Sequence, residues 1–106
     1  MNIKSPYKPK IHKLKTWPLY FDSIAIGTKN FEVRKNDRNY QVNDCLRLEE
    51  YDPVKKDYTG MWVMRRITYI LEGGKFGIEK GYVVLGLVKD NPVEKKYIDE
   101  TRNLKN

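Results

Sequence analysis

Gly27-Thr28-Lys29-Asn30-Phe31-Glu32-Val33-Arg34 puts a helix end, a lysine and the start of a strand into eight residues. The glycine follows an apolar helical stripe, where a left-handed residue closes the last carbonyls. Strand side chains alternate, so Glu32 and Arg34 share one face while Phe31 and Val33 share the other. An acid, a guanidinium and an amine are thereby gathered beside a helix end. Such a cluster is either a solvated face or a site, and its surroundings decide which.

Upstream, Trp17, Tyr20, Phe21 and Ile24 fall at i, i+3, i+4 and i+7, one stripe of a helix whose first turn holds Pro18. That stripe places Trp17 and Tyr20 in the core. Before it, Ile11, Lys13 and Lys15 alternate with His12, Leu14 and Thr16 as a first strand. Downstream, Lys29 to Lys35 is the second strand, followed by the polar turn Asn36-Asp37-Arg38-Asn39. A second turn, Asn43-Asp44, has at Asn43 the residue that best tolerates positive φ after glycine. Cys45 to Tyr51 alternates as a third strand with Leu46 and Leu48 inward. Tyr58-Thr59-Gly60 leads into a fourth strand from about Met61 to Leu71, and a glycine-rich loop spans 72–80. Gly81 to Val88 is apolar on both faces, as in a deeply placed strand. Asn91-Pro92 precedes a short amphipathic helix over 93–104. About five or six short strands with one early helix predict an α+β, mainly β chain built as a small antiparallel or mixed barrel.

Composition narrows the chemistry. With 106 residues the chain is one domain able to bury a single core. Cys45 is the only cysteine and His12 the only histidine, which excludes an internal disulfide, a CxxC metal site and a two-histidine centre. No metal and no cofactor are expected. No apolar run approaches the roughly 20 residues of a membrane span, so a cytoplasmic protein without a membrane partner is expected. The net charge of +7 is unevenly placed. Lys4, Lys8, Lys10, Lys13 and Lys15 stand in residues 1–16 without an acid, whereas 17–88 hold eleven basic and ten acidic residues. Residues 1–10 thus read as a flexible basic arm, 11–89 as the folded unit and 90–106 as a C-terminal helical extension. Such arms attract phosphates without sequence preference or serve as solubility tails, and the two readings stand level.

Helix, Gly27-x-Lys29-x-x-Glu32-x-Arg34, polar turn and barrel, in that order, resemble the ASCH domain of the PUA-like superfamily. The resemblance is closer to a short bacterial and phage branch catalogued as domain of unknown function 3850. It rests on His12-Lys13-Leu14-Lys15, Pro18-Leu19-Tyr20-Phe21, Phe31 to Arg38, Asp44, Tyr58-Thr59-Gly60 and Gly81 to Leu85, and spans roughly His12 to Val88. A glycine is usual where this chain has Asn43. The resemblance implies a PUA-like barrel with a cleft between barrel and helix that takes RNA or a nucleoside-like ligand.

The residues themselves agree in part. Arg34 and Arg38 carry planar forks suited to phosphates or base edges. Lys29 stands just past a helix C-terminus, where its charge is favoured by the dipole. Glu32 either meets a ligand or fixes Arg34 through an ion pair on the same strand face. Asn36 and Asp37 offer acceptors, although turn formation alone explains them. Among the aromatic residues, Tyr58 at a rim and an outward Trp62 are the stacking candidates. The RNA- or nucleotide-binding set is therefore Lys29, Glu32, Arg34, Asn36, Asp37, Arg38, Tyr58 and Trp62.

An enzyme is the alternative. One ASCH branch holds small amidohydrolases acting on acetylated cytidine, and the resemblance implies a threonine nucleophile three residues after the lysine. Lys29 matches, but position 32 is Glu32, so binding is favoured over catalysis, with Lys29 and Glu32 as the catalytic pair if a hydrolase. A protein partner, as for a phage or host regulator, is the third class. Oligomeric state is left open.

Overall fold

Alternation builds β1 (Ile11–Thr16), in which His12, Leu14 and Thr16 are buried and the residues between them exposed. The computed structural model describes residues 8–89; the expected helix over 93–104, the rest of the C-terminal extension and residues 1–7 of the arm lie outside them. Next comes α1 (Pro18–Ala25), with Pro18 in its first turn and Trp17 as an extended N-cap residue. Then follow β2 (Phe31–Lys35), β3 (Cys45–Asp52), β4 (Asp57–Glu72) and β5 (Tyr82–Val88).

The five strands form one mixed sheet in the order β1-β3-β4-β5-β2. Only β1 with β3 is parallel; the other pairs are antiparallel. In a flat sheet the edge strands β1 and β2 would stand four spacings apart, about 19 Å. Here arginines from the β2 side reach the carbonyls of β1 at 2.8 and 2.9 Å. The sheet is therefore strongly curled into a half-barrel, bent by bulges between Glu49 and Tyr51 and between Ile67 and Tyr69.

The concave side holds the core. Leu14, Ile24, Leu46, Leu48, Ile67, Val83, Leu85 and Leu87 pack with Tyr40, and α1 lies on β3. Leu46 and Leu48 point inward as the alternation predicts, and β5 alternates between buried and half-buried residues. Asn43 adopts φ 81°, the turn position expected of it.

Three sequence expectations need correction. First, Trp17 and Tyr20 are not core residues: they are 56% and 49% exposed. The buried arc of α1 is centred between Phe21 and Ile24, and at 3.6 residues per turn Tyr20 sits about 70° from that centre. Trp17 precedes the helical turns, so the helical period does not aim it. Second, β2 begins at Phe31, which leaves Lys29 and Asn30 in the turn after the helix. Third, Tyr58-Thr59-Gly60 lies inside β4, because pairing continues to Asp52 opposite Asp57. The hairpin tip is tightened by Asp52 Oδ1, which accepts from the N–H groups of Val54 and Lys55, and by Lys56 at φ 58°.

Candidate functional site

Gly27 fixes the geometry of the site. At φ 91° it donates its N–H to Ile24 O, while the N–H groups of Thr28 and Lys29 both donate to Ser23 O at 3.0 Å. These bonds close the helix in a Schellman arrangement and turn the chain sharply into β2. A buried arginine from β4, Arg65, adds Nη2 to Ile24 O at 3.2 Å, supplying a cation at the helix C-terminus. The turn so held aims Lys29 at β2.

There the strand is inverted relative to ordinary patterning. Glu32 is 4% exposed, whereas Phe31 and Val33 are 45% and 48% exposed. A buried carboxylate is costly unless paired and hydrogen-bonded. Each oxygen of Glu32 has its own cation: Lys29 Nζ donates to Oε2 and Arg34 Nε donates to Oε1 at 2.9 Å. Lys29 also donates to Phe31 O at 2.8 Å. Two of the carboxylate's roughly four acceptor positions are thus engaged.

Arg34 does more than pair with Glu32. Its Nη2 donates to Lys15 O at 2.8 Å and to Thr16 Oγ1 at 3.3 Å, across the gap between the two sheet edges. Arg38 repeats the move one turn of chain later, with Nη1 donating to Lys13 O at 2.9 Å. Two guanidinium groups therefore stand where ladder bonds would close a barrel, and they use the planar fork that lysine lacks.

Above this floor opens a cleft of about 380 Å³, lined by Lys15, Thr16, Trp17, Tyr20, Lys29, Phe31, Glu32, Val33 and Arg34. Its rim is aromatic, formed by Trp17, Tyr20 and Phe31. Lys29 Nζ lies 4.9 Å from the Phe31 ring and 5.9 Å from the Tyr20 ring, within cation–π range.

Of the eight residues expected at the site, the structure brings together Lys29, Glu32 and Arg34. Asn36, Asp37 and Arg38 belong to the neighbouring turn, where Asp37 is exposed 3.9 Å from Arg38 and Asn36 N–H donates to Gly81 O. Tyr58 and Trp62 stand on β4 and line a second groove instead, with Arg47, Glu49, Gly60 and Met61. Trp62 is half-buried, its ring 4.0 Å from the Arg47 guanidinium. The expectation missed Lys15 and Thr16, and it placed Trp17 and Tyr20 in the core. Trp17 and Tyr20 stand at the β1–α1 junction, one residue before and two residues after a helix-starting proline, and that position is the signal that marks such a corner as a rim.

A second buried polar cluster lies apart from the residues lining the cleft. Asp44, fully buried, accepts His12 Nε2 at 2.8 Å and Gln41 N–H at 3.0 Å on Oδ2, and Lys10 N–H at 3.1 Å on Oδ1. The His12 ring meets Tyr40 edge-on at 4.8 Å. Burial pushes the Tyr40 hydroxyl above its ordinary value, against the pull of Arg38 and Arg34. This cluster ties the start of β1 to the turn before β3, which is a structural task. Among the described residues no group of three or more His, Cys, Asp or Glu could hold a metal ion, and no helix is long and apolar enough to cross a membrane.

Residues 11–87 match the family described as a domain of unknown function, DUF3850, and the chain belongs to that family. An uncharacterized 12.9 kDa protein in the GpA 3′ region of Escherichia phage P2 is 43% identical over 63 residues. That match covers 59% of this chain and 56% of the phage protein, so the chain spans little more than half the length of this relative.

Proposed function

We propose that the cleft between α1 and β2 binds a nucleobase, of RNA or of a free nucleotide, in a domain of the ASCH type within the PUA-like superfamily. The observation that carries this is the inverted strand. Folding ordinarily exposes charge and buries aromatic rings, yet here Glu32 is buried and Trp17, Tyr20 and Phe31 are about half exposed around it. A flat heterocycle satisfies both departures. Its faces stack on the rim rings, and an exocyclic amine or ring N–H donates to the unused acceptor positions of Glu32. Lys29 and Arg34 hold that carboxylate in place, and Lys15 at the rim supplies a cation for a phosphate.

Binding is favoured over hydrolysis because the residue three positions after Lys29 is a carboxylate that is ion-paired to Lys29. The amine is committed to Glu32 and to a backbone carbonyl rather than to a hydroxyl.

Equilibrium titration with nucleoside monophosphates and short RNA tests the proposal. Stacking on one aromatic ring is worth about 1–3 kcal/mol, so Trp17→Ala weakens binding about 5- to 150-fold. Glu32→Gln weakens ligands that present an amine. No binding at low salt, or binding indifferent to both substitutions, overturns it. Release of acetate from N4-acetylcytidine, lost in Lys29→Ala, replaces it with the hydrolase.

A further inference from the structure

The cleft does not end at its aromatic rim. Lys15, which lines it, reaches across the outer face of the sheet: its Nζ lies 4.3 Å from the Tyr51 ring and 5.8 Å from the Tyr58 ring. Tyr51 and Tyr58 stand opposite each other on β3 and β4 and meet edge to face, ring centres 5.1 Å apart. Tyr58 is about half exposed and also lines the second groove, of about 160 Å³, in which Arg47 lies over Trp62. Cation and ring therefore follow one another from β1 through β3 to β4, across two strand spacings or about 10 Å. Lys13 and Arg47 are partners in the β1–β3 register; Lys13 adds positive charge beside the same track, while Arg47 is ion-paired there, its Nε donating to Glu49 Oε2 at 2.8 Å.

From this we infer that the ligand of the cleft is a single-stranded nucleic acid, whose chain continues from the cleft over Lys15 and Tyr58 to the Arg47–Trp62 groove. The inference rests on the nucleobase reading of the cleft and extends it from one base to a strand. Alternating rings and cations match a polymer that alternates bases with phosphates. The rings take successive bases without sequence preference and the cations take the intervening charges. The second groove is too small for a second independent ligand of drug size, but it is large enough for the edge of one base.

The test compares a nucleoside monophosphate with an oligoribonucleotide of about eight nucleotides and its deoxy counterpart, each titrated into the full chain and into Tyr58→Ala. The oligonucleotide is expected to bind more tightly than the monophosphate. Tyr58→Ala is expected to weaken the oligonucleotide about 5- to 150-fold and leave the monophosphate unchanged. Arg47→Gln, which spares both tyrosines, is expected to lower the slope of log K against log salt by about one for the oligonucleotide alone. Equal affinity for the two ligands, or an oligonucleotide indifferent to both variants, overturns the strand while leaving the single-base cleft standing. Absence of binding by either ligand overturns the cleft itself, and the strand with it. A preference for the ribose form over the deoxy form identifies RNA as the strand; parity identifies single strands of either sugar.

Discussion

Removing the guanidinium that bridges the open seam should cost this domain a large share of its stability. Arg34→Ala deletes the 2.9 Å bond to Glu32, the 2.8 Å bond to Lys15 O and the weaker 3.3 Å contact with Thr16. A hydrogen bond to a charged group contributes about 1.5–3 kcal/mol net. The Arg34 side chain is 23% exposed, so water replaces part of what is lost and the lower bound applies to each of the two short bonds. Their sum is about 3 kcal/mol, before the cost of leaving Glu32 buried with Lys29 alone. With a urea slope of about 1–3 kcal/mol/M for a small protein, the unfolding midpoint falls by about 1–3 M. The melting temperature falls by roughly 12–24 °C on the scale of a domain of this size. Arg34→Lys keeps the charge but cannot span Glu32 and the β1 carbonyl together, so it recovers less than half of the loss. An unfolding free energy within about 0.5 kcal/mol of the parent, as for an ordinary surface arginine, would refute the closure of the seam by side chains.

Three further substitutions probe the parts that hold the site in place. Asp44→Asn turns an amide toward one of three donors inside the core and should cost about 3 kcal/mol, with faster amide exchange at Lys10 and Gln41; unchanged protection at both positions would contradict it. Gly73→Ala places a methyl carbon 2.0 Å from Glu79 O and 2.7 Å from Tyr82 O, both backbone, so the loop must shift and a loss of about 1–3 kcal/mol is expected in thermal melts. For Tyr40, a hydroxyl raised in the folded state stabilises fully below its unfolded value of about 10 and loses that contribution as pH climbs through the folded value. Stability of the parent therefore falls more steeply above about pH 10 than that of Tyr40→Phe, and equal alkaline slopes in urea titrations would contradict the burial of that hydroxyl.

Much of this architecture is legible in local sequence, because caps, turns and alternation are local rules. Gly27 as a helix end, Asn43 at positive φ, and Leu46 and Leu48 facing inward all follow from one residue and its neighbours. Trp17 and Tyr20 mislead for an equally physical reason. An eight-residue helix has room to bury only Phe21 and Ile24, and a four-residue stripe overstates its contact face. What local rules cannot show is pairing at a distance. Arg34 and Arg38 carry the same forks whether they await a phosphate or seal a seam, and only the curl of the sheet brings Lys13 O and Lys15 O within their reach. The partnership of His12 with Asp44 crosses 32 residues. Its one sequence trace is a histidine alternating with Leu14 on the inward face of a strand, a position that requires a polar partner. Lys29, Glu32 and Arg34 converge as their spacing suggests, while Tyr58 and Trp62 fall on a separate strand that no spacing connects to the cleft.

Fluorescence of Trp17 is the most direct reporter of the cleft. In a Trp62→Phe variant Trp17 is the only tryptophan, and it stands on the rim at 56% exposure. Titration with single-stranded RNA at low salt should quench its emission in a saturable curve whose midpoint moves to higher RNA concentration as salt is raised. Emission that stays constant throughout, while the variant remains folded, would contradict a nucleobase-binding cleft at this position.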